Sequence, residues 1–231
     1  MPLRRLVPWL PLVLACLTGC GPGGVTDLLP GSYLDDVLLE GRYTMRFTET
    51  PVRVVIDTDA PPADYQPEYR AFVVDALAQW DSAAGTSLDL ELVGTYPDIT
   101  VRWVSEIPNQ DTTPTGVTTI SYADSCFYAP IVELALYAGG ERVPDPEVHA
   151  TTIHELGHAI GLAGHSADPH DVMYESNTAT TLTAADRATV QDLYRRPARY
   201  PECSTTGARR YPPGNARLIM MPSSTRFSWS R

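Results

Sequence analysis

The stretch TTIHELGHAIGLAGHSADPHDVMY, residues 151–174, crowds His154, His158 and His165 into one short segment. All five histidines of the chain lie between His149 and His170, a confinement that needs a chemical cause. Ile153, Leu156, Gly157 and Ile160 recur at i, i+3, i+4 and i+7, which predicts a helix with one buried stripe. Asp145 suits the N-cap, with Pro146 as the first helical residue, and Gly161 can take the left-handed conformation that ends a helix. Residues four apart on a helix lie one above the other, so His154 and His158 can offer two imidazole nitrogens to a single metal ion. Glu155 is offset by one residue and can lie near a metal-bound water without ligating. In this H-E-x-x-H arrangement zinc lowers the pKa of its water to about 7 and the glutamate takes the proton. A third protein ligand is needed, with the fourth position left open. Once Gly161 has stopped the helix, the chain can turn and bring His165 up to the first two.

Upstream, VRVVID (Val52–Asp57) reads as a first strand, ended by turn residues over 59–64. A helix is predicted over about residues 67–84, with Phe72, Val73, Ala76, Leu77 and Trp80 at helical spacing and Gly85 as its stop. Residues 87–93, 98–104, 116–123 and 131–138 are further strand candidates. Downstream, TAADRATVQDLY predicts a last helix capped by Thr183, with Asp186 three residues on, close to a capping box. The order strand, helix, several strands, helix, irregular loop, helix is α+β. Trp80 and Trp103 fall at core spacing and read as packing residues.

HELGHAIGLAGHSADPHDVMY resembles the zinc-binding segment and Met-turn of the metzincins, and of their matrixin branch in particular. AFVVDALAQW, DITVRWV and LTAADRATVQDLY look like the matrixin first helix, third strand and closing helix, so the resemblance runs over roughly residues 52–194. It implies a twisted mixed sheet of about five strands above a cleft, with the active-site helix beneath, a closing C-terminal helix, and Met173 in a Met-turn under the metal. It also implies a zinc-dependent endopeptidase with Glu155 as general base. An extended peptide would bind antiparallel to an edge strand, either 116–123 or 131–138.

The segment departs from the matrixin pattern once. There the third histidine stands three residues after the glycine, where this chain has Gly164, so His165 arrives one residue late. His154, His158 and His165 are the expected ligands of one catalytic zinc, with His170 and Asp168 as rivals for the third place. His149 reads as an ordinary helix residue. In the astacin-like branch the zinc-approaching tyrosine lies two residues after the methionine, where this chain has Glu175, so Tyr174 reads as structural. Residues 174–182 should wall the specificity pocket. Asp57, Asp59, Asp168 and Asp171 form no ladder of calcium-loop spacing; Ca2+ is without support and they read as solvated loop carboxylates.

With 231 residues, 43% hydrophobic and 19% charged, the chain fits one domain with tails. Its formal net charge is −11 and all 17 basic residues are arginine. An acidic chain with no basic run excludes nucleic acid as a partner. At the N-terminus Arg4 and Arg5 precede an apolar run over residues 6–17 that is too short to span a bilayer, which is an export signal. Its ending LTGC, residues 17–20, resembles the lipobox of bacterial lipoproteins, where the residue in the place of Cys20 is acylated and begins the mature chain. Cys16 leaves with the signal, and Cys126 and Cys203 remain as a pair whose default reading in an exported chain is a disulfide tying the C-terminal tail to the body, with two free thiols as the alternative. No cysteine-switch propeptide is expected ahead of the first strand.

The expected organisation is a lipoprotein signal peptide over 1–19, a Gly/Pro-rich tether over 20–40, the peptidase domain over 41–197, and a Pro/Arg-rich tail over 198–231 ordered only near Cys203. The chain would be a monomer of the bacterial cell envelope, held to the membrane through Cys20 or secreted if the lipobox is unused, and acting on protein or peptide substrates. The competing reading is a non-catalytic zinc-binding lipoprotein that uses the fold as a partner-binding module. Glu155 speaks against it, because a structural zinc site is closed and has no use for a base.

Overall fold

The computed structural model describes residues 27–108, 113–123, 125–176, 178–203 and 216–223. Residues 1–19, expected from sequence to be a signal peptide, and Cys20 lie outside them. The first strand, β1 (Val52–Asp57), turns Val52 and Val54 into the core. A 3-10 turn at Pro67–Tyr69 leads into α1 (Arg70–Ala84), which buries Val73, Ala76, Leu77 and Trp80 at the spacing of one helical face. Then come β2 (Leu90–Leu92), β3 (Ile99–Val104), β4 (Gly116–Ala123), β5 (Cys126–Phe127) and β6 (Ile131–Ala135). A small hairpin, β7 (Tyr137–Ala138) and β8 (Glu141–Arg142), precedes α2 (Asp145–Ala159); α3 (Ala184–Arg195) and β9 (Arg217–Ser223) follow.

Apart from the β7–β8 hairpin, the strands form one mixed, twisted sheet in the order β2-β1-β3-β6-β4-β5, with β9 also paired to β4. The pairings β1–β2, β1–β3 and β3–β6 are parallel, while β4 runs antiparallel to β5, β6 and β9. Val54, Ile99, Val101, Ile120, Val132 and Leu134 of the sheet share one core with Trp80, Ile153 and Leu156 of the helices. Trp80 Nε1 donates to the Ile153 carbonyl at 2.9 Å, tying α1 to α2 one residue before His154.

Several elements differ from the sequence reading. The strand expected over 131–138 breaks at buried Leu136; Tyr137 and Ala138 pair instead with Arg142 and Glu141 around Gly139 and Gly140, both at positive φ. Neither expected edge is free: β6 lies between β3 and β4, and β4 is paired by β6 and β5 on one side and by β9 on the other. Asp145 is not the cap of α2 but its first residue, after Pro144. Its carboxylate is engaged elsewhere, accepting from the Tyr69 hydroxyl at 2.8 Å. Leu34, Val37 and Leu39 are buried in the core, so the fold begins before residue 41 and the expected tether is shorter than 20–40. The tail is not ordered near Cys203 alone: β9 pairs along β4 over seven positions, and with β5 it brings the sheet to seven strands among the described residues, where about five were expected.

Candidate active site

His154 and His158 lie on α2, which is buried all round from Ala150 to Ala159 rather than along one stripe; both are at 0% exposure. His154 Nδ1 meets the Val172 carbonyl at 2.7 Å and His158 Nδ1 meets the Leu162 carbonyl at 2.5 Å. A carbonyl can only accept, so each Nδ1 carries the proton and each Nε2 keeps its lone pair. Burial holds His154 down at about 3, with help from His165, and pushes His158 well below the ordinary imidazole range. Both rings are therefore neutral, the form a metal requires. His165 stacks on His154 at 5.2 Å between ring centroids, and its centroid lies 5.0 Å from that of His158. The Nε2 atoms of all three are buried with no hydrogen-bond partner. One ligand atom from each lies within 4.8 Å of the others. Three neutral, orphaned nitrogens facing one another fit a zinc ion with an open fourth position.

Gly161 and Gly164 explain how the chain brings His165 there. Gly161, at φ +118°, follows the end of α2, and a Cβ on it would meet the Met45 carbonyl oxygen at 1.9 Å. At Gly164 a Cβ would meet the Asp36 carbonyl oxygen at 2.4 Å. Ala163 N–H donates to the Val37 carbonyl at 2.7 Å, so the loop runs against the segment around Asp36 and Val37. The additional residue before His165 is thus a glycine where another backbone passes in contact.

Met173 is fully buried and its sulfur packs where a Cβ on Gly157 would stand. The turn that holds it is fastened to α3. Thr183 and Asp186 form a complete capping box, and the buried Asp186 carboxylate also accepts from Val172 N–H at 3.0 Å and from the Tyr33 hydroxyl. Val172 in turn orients His154. Asp171, read from sequence as solvated, is only 4% exposed and accepts from Ser166 Oγ and Thr183 Oγ1, both at 2.6 Å. Those donors let a carboxylate sit inside. The capping pattern gave a sequence signal for Asp186; nothing in the sequence separated Asp171 from the other loop acids.

Glu155 is fully buried, and burial pushes its carboxyl up to about 8. Thr118 Oγ1 of β4 donates to Glu155 Oε2 at 2.6 Å and offsets part of that shift. Ser223 of β9 lies near enough to lower it further, although neither its hydroxyl nor Oε1 completes a well-directed hydrogen bond. Thr118 was not singled out from sequence, because a threonine in an alternating strand carries no mark of what it faces.

The other candidates lie outside the histidine cluster. His170 pairs with Asp168 at 2.8 Å, both largely exposed. His149 stacks on Phe72 and approaches Asp75 at 2.8 Å. Tyr174 follows Met173 in a bridge to Ser166, and exposed Glu175 lies close enough to His165 to oppose the effect of burial on it. Asp57 caps the turn at Asp59, accepting from its N–H at 3.1 Å. Cys126 and Cys203 form a disulfide, the mark of an extracytoplasmic compartment. Among the described residues no helix is long and apolar enough to cross a membrane.

Residues 141–195, from β8 through α2 and the loop to the end of α3, match the family model of the matrixins. The match stops short of the main sheet, whose strands β1 to β6 all lie before it. No curated protein matches the chain. The matched family is one of zinc metalloendopeptidases, and the arrangement of three histidines with a glutamate beside the first is that of a zinc metallopeptidase.

Proposed function

We propose that this chain is an exported, lipid-anchored zinc endopeptidase in which His154, His158 and His165 hold the zinc and Glu155 is the general base. The observation that carries the reading is the set of three buried Nε2 atoms without a partner, converging beside a buried glutamate. Bound zinc supplies a Lewis acid for the scissile carbonyl and lowers the pKa of a water. Glu155 does the proton work: it accepts the proton of the attacking water and passes it to the leaving amine. Burial disfavours the carboxylate, while a cation nearby favours it and restores the base. Thr118 keeps that carboxylate in one orientation, and Met173 supplies an apolar floor.

The substrate would be an extended protein segment lying along β4, with residues 174–182 beside its pocket. The disulfide supports an extracytoplasmic site of action. The LTGC ending supports attachment through Cys20, with a signal over 1–19, a short tether, a monomeric peptidase domain to about residue 197, and a tail beyond it. Zinc-loaded chain is to be compared with its Glu155→Gln variant on an unstructured casein-like substrate. Turnover should fall by about 10²–10⁴-fold with zinc content unchanged. Equal turnover would remove Glu155 from its role; zinc without turnover in either form would favour a binding module.

A further inference from the structure

The edge of β4 is where a peptide would have to lie to meet Glu155. Thr118 of that strand hydrogen-bonds the Glu155 carboxylate, and a Cβ on Gly116 would stand 2.8 Å from Glu155 Oε1. One side of β4 is taken by β6 and β5. The other is taken by the chain itself. β9 runs antiparallel along it, pairing Ser223 with Gly116, Met221 with Thr118, Ile219 with Ile120 and Arg217 with Tyr122. Paired residues share a face, so Met221 and Ser223 point the same way as Thr118, towards α2. Both are buried at 4%, whereas Leu218 and Met220 on the opposite face are 60% and 57% exposed.

We propose that residues 217–223 occupy this chain's own substrate groove as a tethered strand, and that substrate must displace them. The inference rests on the peptidase reading for the word substrate, but the occupancy of a peptide groove does not. β9 is held by backbone pairing and by Met221 as its buried apolar anchor, with Arg217 adding an exposed contact to Glu40 at 2.9 Å. It has no close turn into β4 and is joined to the body through residues 204–215 and, before them, the Cys126–Cys203 disulfide. That disulfide fastens the tail beside β5, at the end of β4 away from Glu155. Such a tether raises the local concentration of the tail at β4 to a level a free peptide reaches only in the millimolar range. β9 also describes its competitor: an extended segment with a bulky apolar side chain in the place of Met221 and a small residue beside Gly116.

The test uses the full zinc-loaded chain and a labelled peptide of sequence RLIMMPS, residues 217–223, free in solution. Binding is measured in the Glu155→Gln background, with and without Met221→Asp. Turnover of an unstructured substrate is measured with Glu155 intact. Loss of the anchor should tighten peptide binding at least about tenfold and raise turnover by a similar factor. Cys126→Ser with Cys203→Ser, which leaves Met221 in place and weakens the tether, should move both in the same direction and serves as the variant if Met221→Asp does not fold. Tighter binding with no turnover in any form would keep the occupied groove and reject the peptidase reading. Equal peptide binding with and without the tail's anchor and tether, or no binding to any form, would overturn the proposal.

Discussion

Three imidazole nitrogens left without partners inside a protein are costly unless something binds them. Their pairing was legible at His154 and His158, because four-residue spacing on a helix places both on one face whatever the rest of the chain does. His165 was legible only as one of three choices, since its position depends on a loop that periodicity does not describe. Gly164 explains why the longer loop closes: the neighbouring Asp36 carbonyl occupies the space of a side chain. Gly164→Ala should therefore push the loop off Asp36 and Val37, costing about 1–3 kcal/mol and weakening zinc binding through His165. Thermal unfolding together with a zinc titration would check this. Unchanged stability and unchanged zinc affinity would mean that Gly164 plays no part in closing the loop.

At the scale of elements, the two helices around the site were readable and the way they meet was not. The apolar stripe and Gly161 placed α2, and Thr183 with Asp186 placed the start of α3. The sequence did not reveal that the α3 cap also holds the turn around Met173, through Asp186 to Val172 N–H and from the Val172 carbonyl to His154. Nor did it foresee that Asp145 would leave the cap of α2 to meet Tyr69, a partner 76 residues away. Asp186→Ala should orphan buried donors at Val172 and Thr183, with a loss of about 2–4 kcal/mol. It should also lower zinc affinity about 10–100-fold, as disturbance behind a metal ligand does. Stability lost with zinc affinity untouched would show that the cap serves α3 alone.

At the scale of the whole molecule, strand alternation located β1, β3 and β4, while the order of the sheet and the use of its edges came only from long-range pairing. The segment RLIMMPS contains a proline and sits in a tail rich in Pro, Arg and Ser. Local composition therefore hides a strand whose alternation shows only beside β4. The N-terminal segment from Leu34 was hidden in a similar way, as Leu34, Val37, Leu39, Met45 and Phe47 build no long element of their own and find their core against distant elements.

These elements converge to bring His154, His158 and His165 to one site fit for a zinc ion. The most direct test is zinc per chain, measured on the purified protein beside His165→Ala and beside the double variant Asp168→Ala/His170→Ala. The structure predicts one tightly held zinc in the parent and in the double variant, and its loss from His165→Ala. A parent chain that takes up no zinc, or zinc that survives the loss of His165 and leaves with Asp168 and His170, would contradict it.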